Sequence, residues 1–209
     1  MKLVFISDTH SIHKRISVPD GDILIHCGDF TSRGHVHEVS NFNKWLGTLP
    51  HKVKLICAGN HDIIFDSGEY LLAKTLLTNA EYVQHSLFET HGLSFFMSPY
   101  SPEFCNWAFM KRRGEDILEK WREIPAGIDV LVTHGPPWSI LDSIMLGSES
   151  LGCVDLYQEV TLRIKPKIHA FGHIHGGHGQ TKINDTLFIN ASICNEEYMT
   201  INKPIVVEL

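Results

Sequence analysis

Five short apolar runs in this chain each stop at a residue able to bind a cation. Leu3-Val4-Phe5-Ile6 leads into Ser7-Asp8-Thr9-His10, Ile23 to Cys27 into Gly28-Asp29, and Val53 to Cys57 into Gly59-Asn60-His61-Asp62. Val130-Leu131-Val132 leads into Thr133-His134-Gly135, and Ile168 to Phe171 into Gly172-His173-Ile174-His175. The runs are continuously apolar rather than alternating, which predicts strands covered on both faces. All are far too short to cross a membrane.

What lies between the runs predicts how they are joined. Val36, Val39, Phe42, Trp45 and Leu46 recur at helical spacing and end at Gly47, and Tyr70 to Leu77 forms a second leucine-rich helix. A buried strand, a crossover helix and another buried strand make a βαβ unit, so a largely parallel sheet follows. Glu81 to His85 and Leu93 to Met97 read as further strands, and Ile117 to Ile124 as an amphipathic helix ending before Pro125. Val154, Tyr157, Val160 and Ile164 give another helix, and 135–152 a long connection of the kind that tends to be functional. Short alternating pieces at Gln180 to Ile183, Thr186 to Asn190 and Pro204 to Leu209 predict hairpin strands. The expected class is α/β, a pair of sheets between helices, with ligands at the carboxyl ends of strands. A length of 209 residues predicts one domain, 1–209.

Composition narrows the partners. A net charge of −6, with histidine neutral, argues against a grip on long nucleic acid, which needs clustered Lys and Arg. Lys111-Arg112-Arg113 is the single compact basic run and reads as a solvated face. Five cysteines without a C-x-x-C pair predict free thiols and a reducing compartment. With neither a signal peptide nor a membrane-length run in view, the expected location is cytoplasmic, with no membrane partner. Oligomeric state stays open.

Asp8, His10, Asp29, Asn60, His134, His173 and His175 form a mixed oxygen and nitrogen set. Such a set suits Mn²⁺, iron, Zn²⁺ or Co²⁺ better than the all-oxygen sites of Mg²⁺ and Ca²⁺ or the thiolate sites of structural zinc. These donors exceed the needs of one ion with open positions, so two divalent ions sharing one carboxylate are expected, with manganese favoured. Taken singly, an Asp at a strand end reads as an N-cap, and a His in an apolar run, such as His26 or His169, as a hydrogen-bonded core residue. Agreement among five strand ends shifts the balance toward metal.

In order, Asp8-Thr9-His10, Gly28-Asp29, Gly59-Asn60-His61-Asp62, Thr133-His134-Gly135 and Gly172-His173-Ile174-His175 resemble the D-x-H, GD, GNH[DE], (T)HG and GH-x-H blocks of the calcineurin-like metallophosphoesterase superfamily. Asn106-Trp107-Ala108-Phe109 and Thr133 to Pro137 are similar to its small metallophosphoesterase-domain-containing, class III phosphodiesterase-like branch. The resemblance implies a four-layer α/β/β/α sandwich. It also implies that Asp8, His10, Asp29 and His175 hold one ion and Asp29, Asn60, His134 and His173 the other.

Two such cations, roughly 3.5–4 Å apart, would acidify a water held between them, and the expected reaction is attack of that hydroxide on phosphorus in line with the leaving oxygen. His61, next to Asn60, is the expected proton donor to that oxygen. Asp62 is assigned either to orienting His61 or to capping a helix. Gly28-Asp29-Phe30-Thr31-Ser32-Arg33-Gly34 departs from the G-D-x-x-D-R-G block of protein phosphatases by Ser32, while Arg33 stays in register. Arg33 is expected either on the substrate phosphate or at the surface, opening the next helix. Asn60 is expected near substrate too, and Asn106 and Trp107 either wall the pocket or belong to a packing cluster. Beside the ligand blocks, His13 and His178 are expected either to touch substrate or, in preference, to lie at the surface.

The expected activity is a phosphodiesterase acting on small phosphoesters, nucleotide and cyclic nucleotide esters included. Its rivals are a phosphomonoesterase or protein phosphatase, and a non-catalytic metal-binding scaffold. Serine hydrolases, zincins and P-loop enzymes lack their minimum motifs here.

Overall fold

Successive side chains of each buried strand serve two different cores, which is why the runs are continuously apolar. Leu3 and Phe5 pack in one cluster with Ile25, Leu55, Val130 and Ala170. Val4 and Ile6 point the other way, into a cluster with Val39, Phe42 and Leu46. A third cluster joins Leu131 and Phe171 to Ile117, Trp121 and Leu156. Three parallel cores need four layers.

The computed structural model describes residues 1–145 and 147–209. Its elements are β1 (Lys2–Ile6), β2 (Ile23–His26), α1 (Val36–Leu46), β3 (Val53–Ile56), α2 (Tyr70–Leu76), β4 (Glu81–Tyr82), β5 (Ser86–Thr90), β6 (Leu93–Ser98), β7 (Ser101–Pro102), β8 (Met110–Lys111), α3 (Glu115–Arg122), β9 (Val130–Thr133), α4 (Val154–Gln158), β10 (Ile168–Phe171), β11 (Gly179–Ile183), β12 (Thr186–Asn190) and β13 (Ile205–Glu208). One sheet has the order β13-β1-β2-β3-β4 and the other β11-β12-β10-β9-β6-β5. Their centres are parallel, β1 to β2 to β3 and β12 to β10 to β9 to β6, while β13, β11 and β5 add antiparallel edges. The sheets face each other across the middle core, α1 and α2 cover the first, and α3 and α4 cover the second. This is a four-layer α/β/β/α sandwich, the architecture that the resemblance implies.

Parallel β1, β2 and β3 end on one edge, and β9 and β10 on the matching edge of the other sheet, so the loops after all five strands meet. His26 and His169 stay in the core. The Gly28 N–H donates to His26 Nδ1 at 3.2 Å, so His26 Nε2 carries the proton and donates to Thr9 Oγ1 at 3.0 Å. His169 Nε2 likewise lies 2.9 Å from Thr133 Oγ1.

Segment 99–110 answers to both of its sequence readings. Ala108 and Phe109 are buried, and β7 pairs with β8, whereas Phe104 is 59% exposed. The N–H of Ala108 donates to Asn60 O at 3.2 Å, which ties this segment to the loop after β3. His13 corrects the expectation of a surface position: it is buried against Phe42 and Trp45. No helix among the described residues is long and apolar enough to cross a membrane.

Candidate metal centre

Backbone first decides where the donors point. Asp8, His10, Asp29 and His173 have φ of 54°, 37°, 56° and 68°, in the left-handed region that L-residues other than glycine avoid. Such conformations cost about 1–3 kcal/mol each and persist where the surroundings impose them. Here Asp8 N–H donates to Gly28 O at 2.9 Å and His10 N–H to Asp29 O at 3.0 Å, lacing the loop after β1 to the loop after β2. Two glycines are needed for close approach. A Cβ on Gly59 would lie 2.3 Å from Asp29 Oδ1, and one on Gly172 2.1 Å from Asp8 Oδ2.

The side chains then converge in three overlapping groups, each with donor atoms within 4.8 Å of one another: Asp8, His10 and His175; His10, Asp29 and His61; and Asp29, His134 and His173. Asp29 belongs to two of them. Its Oδ2 is 3.4 Å from His134 Nε2 and 3.9 Å from His10 Nε2, and Asp8 Oδ1 is 3.6 Å from His175 Nε2. Asn60 Oδ1 lies 2.9 Å from His134 Nε2. All seven sequence-predicted donors therefore meet at one place.

Backbone carbonyls aim two of the imidazoles. His134 Nδ1 lies 3.1 Å from Cys27 O and His175 Nδ1 2.9 Å from Asn195 O. A carbonyl can only accept, so each Nδ1 carries a proton and donates, leaving Nε2 for the centre. His61 follows the same rule, with Nδ1 donating to Ser32 O at 2.9 Å.

Charge tests whether these residues fit cations. Asp8 and Asp29 are buried, and among the described residues their ion-pair partners are histidines alone. Burial opposes their ionisation, yet His175 beside Asp8 and His134 beside Asp29 hold both carboxyls below the usual range. Conversely, against the desolvation of burial, Asp29 draws His134 up to about 9, and Asp8 does the same for His175. Burial takes His10 down to about 4 and His173 to about 3. Two buried anions require positive charge beside them. Protons on His134 and His175 supply it, or divalent ions held by the same lone pairs. The Nε2 atoms of His10 and His175, 3.3 Å apart, also bring two ring nitrogens to one point. The donor set fits divalent metal.

Around the centre, Trp107 stacks on His61 with centroids 4.2 Å apart at 30°, and the Arg33 guanidinium lies 4.9 Å from the Trp107 centroid. His10, Ser32, Arg33, His61 and Tyr198 line a pocket of about 300 Å³. Trp107 and Arg33 thus sit beside the centre, whereas Asn106 is exposed and makes no side-chain hydrogen bond among the described residues. Asp62 corrects both of its expected roles. Its carboxylate accepts from the N–H groups of Gly59, Asp29 and Thr31 at 2.8, 2.9 and 2.9 Å, and from the Thr31 hydroxyl at 2.7 Å. It neither meets the His61 ring nor caps the turn that follows it, because these loop donors already occupy both oxygens.

Three neighbours escaped the sequence reading. Ser192 Oγ donates to Asp8 Oδ2 at 2.9 Å, Asn195 O holds His175, and the Tyr198 ring lies 4.8 Å from that of His10. All three come from the connection between β12 and β13, which carries no ligand spacing.

A family model described as calcineurin-like phosphoesterase matches residues 1–177. The chain is 40% identical over 230 residues to metallophosphoesterase domain-containing protein 1 of Homo sapiens, spanning 100% of this chain and 71% of that protein. It is 39% identical to the UPF0046 protein C25E10.12 of Caenorhabditis elegans, over 100% of this chain and 81% of the relative. One solved crystal structure superposes with a TM-score of 0.65 at 15% identity, covering 90% of this chain and 89% of its own, a likeness of fold.

Proposed function

The chain belongs to the calcineurin-like phosphoesterase family, and from that premise we propose that it is a two-metal phosphodiesterase acting on small phosphoesters. Membership of the family implies a hydrolase of phosphoric esters that uses divalent metal ions. In our reading Asp8, His10, Asp29 and His175 hold one ion, Asp29, Asn60, His134 and His173 hold the other, and manganese is favoured. The observation that carries this reading is the placement of Asp29 in two donor groups at once. Bound there, such ions supply positive charge that polarises a phosphoryl group and acidifies water.

The remaining chemistry belongs to side chains. His61 is oriented by its Nδ1–H bond to Ser32 O, and in the imidazolium form, with a second proton on Nε2, it gives that proton to the departing oxygen and is left as the neutral Nδ1–H ring. Trp107 packs against that ring and keeps it from turning away. Arg33, at the rim of the same pocket, presents a guanidinium to a phosphate oxygen. The net charge of −6 supports a small ester over long nucleic acid, and five free cysteines support a reducing, cytoplasmic setting.

Metal content and turnover measured on one preparation test the proposal. With Mn²⁺ bound, bis-p-nitrophenyl phosphate should be hydrolysed in preference to p-nitrophenyl phosphate. Strong preference for the monoester would reassign the chain as a phosphomonoesterase. Metal-replete protein inert toward both would leave a binding scaffold.

A further inference from the structure

A second pocket opens on the centre from another side. It has a volume of about 300 Å³, it reaches the centre at His173, and its walls are Phe104, Pro136, Ile144, Leu151 and Ile174. It shares no residue with the pocket at His10 and His61. Asp29 adjoins both, since its carboxylate groups with His61 on one hand and with His173 on the other.

Three of these apolar walls are exposed, Phe104 at 59%, Ile144 at 44% and Leu151 at 37%. Large apolar side chains clustered around a concavity mark a place where apolar matter binds. The one charged wall residue, Arg113, is already engaged, donating from its two terminal nitrogens to Gly152 O at 2.7 Å and Leu151 O at 2.8 Å. Its guanidinium braces the wall through two of its five N–H donors.

The pocket is also braced against the centre. Asn190 Nδ2 donates to Leu141 O at 2.9 Å and to Ile174 O at 2.8 Å, joining the 141–144 segment to the block that carries His173 and His175. A Cβ on Gly176 would fall 1.9 Å from Ile144 O, so glycine alone permits that contact. Asp142 Oδ2 accepts from Ser139 N–H at 2.8 Å and Gly152 N–H at 2.9 Å, closing the loop on itself. The Phe104 ring stands 5.4 Å from that of His173.

We infer that this pocket is the subsite for one ester substituent of the substrate, and that this substituent is an aromatic ring. The inference rests on the proposed phosphodiesterase reading. It places the leaving substituent toward Arg33, His61 and Tyr198 and an aromatic one, which stays on phosphorus, against Phe104. A ring fits the volume, since a cavity of about 150 Å³ already accepts benzene, while a methyl group would leave the walls in contact with water.

Phenyl p-nitrophenyl phosphate and methyl p-nitrophenyl phosphate, compared on the Mn²⁺-loaded protein, test the subsite. The phenyl ester should be favoured about tenfold or more in kcat/KM, the scale on which an apolar pocket discriminates. Phe104→Ser and Ile144→Asn should bring the ratio toward one. Because both esters are read on the same preparation, a partly unfolded variant does not disturb that ratio. Hydrolysis of both esters at equal rates by the wild-type protein would overturn the subsite and leave the phosphodiesterase reading standing. If neither ester is hydrolysed, the phosphodiesterase reading fails, and calorimetric binding of phenylphosphonate against methylphosphonate decides the subsite. Tighter phenylphosphonate binding, lost in both variants, supports it; equal binding refutes it.

Discussion

Asp29 Oδ1 accepts the backbone N–H of His61 at 2.8 Å. The carboxylate that belongs to two donor groups is thereby joined to the residue we propose as proton donor. One oxygen is committed to the loop after β3, and Oδ2 is left facing His134 and His10.

That division of labour makes Asp29→Asn a selective lesion. The amide oxygen can still accept from His61 N–H, but the charge shared by two donor groups is gone. Bound metal should fall from two equivalents to one or fewer by elemental analysis, with kcat/KM reduced by about 10²-fold or more. Full metal content in the variant would exclude the bridging role proposed for Asp29.

His61→Gln should leave metal content intact while lowering kcat by about 10²–10⁴-fold, the range of a lost general acid. The loss should be largest for esters with poor leaving groups and smallest for p-nitrophenyl esters, whose phenolate needs little protonation. An equal loss across a leaving-group series would show that His61 acts in some other way.

Arg33→Ala removes the guanidinium that lies 4.9 Å from the Trp107 ring at the pocket rim. KM for small phosphodiesters should rise about tenfold, as for a charge-assisted contact, with a smaller change in kcat. Unchanged KM and kcat would return Arg33 to the solvated surface.

Asp62→Asn tests the loop anchor. Both carboxylate oxygens accept two donors, and an amide must turn its NH₂ toward two of them. The buried donors left unsatisfied cost about 3 kcal/mol, measurable by urea denaturation. Activity should fall too, because all four donors are on the segments that present Asp29 and Asn60. A variant as stable as the wild type would mean that the hydrogen bonds re-form around the amide.

Glu38 gives a pH dependence with a definite sign. Its carboxylate accepts from the N–H groups of Ser32, Arg33 and His35 and from the Ser11 hydroxyl. Although burial opposes ionisation, these donors, led by His35, hold its pKa below the ordinary glutamate range. The folded pKa lies below the unfolded one, so the contribution is fully present above the unfolded value of about 4.3 and is lost as pH falls through the folded value. Glu38→Gln should be less stable than wild type by about 1–2 kcal/mol at pH 7, and the gap should close toward pH 3. A gap of equal size at both pH values would exclude the charge as its origin.

Most of the centre was legible in the chain because strand ends carry it. A run buried on both faces has a recognisable composition, parallel strands of one sheet end on one edge, and a donor just past each run must therefore arrive near the others. That reasoning placed Asp8, Asp29, Asn60, His134 and His173 without coordinates. It also placed His26 and His169 in the core, since each lies within a run rather than past its end. Trp107 was harder, because segment 99–110 has no period, and its stacking on His61 depends on the Ala108 N–H bond to Asn60 O across nearly fifty residues.

Local pattern thus determined the layers, the edge and the identity of the donors, because burial periodicity and glycine spacing are properties of consecutive residues. Only the tertiary structure decided what holds those donors in place. Ser192 reaches Asp8 across 184 positions of sequence, Asn195 aims His175, Asp62 ties the loop after β2 to the loop after β3 rather than steering His61, and Tyr198 borders the pocket. Contacts between distant segments exist only after the sheets have packed, and no spacing along the chain records them.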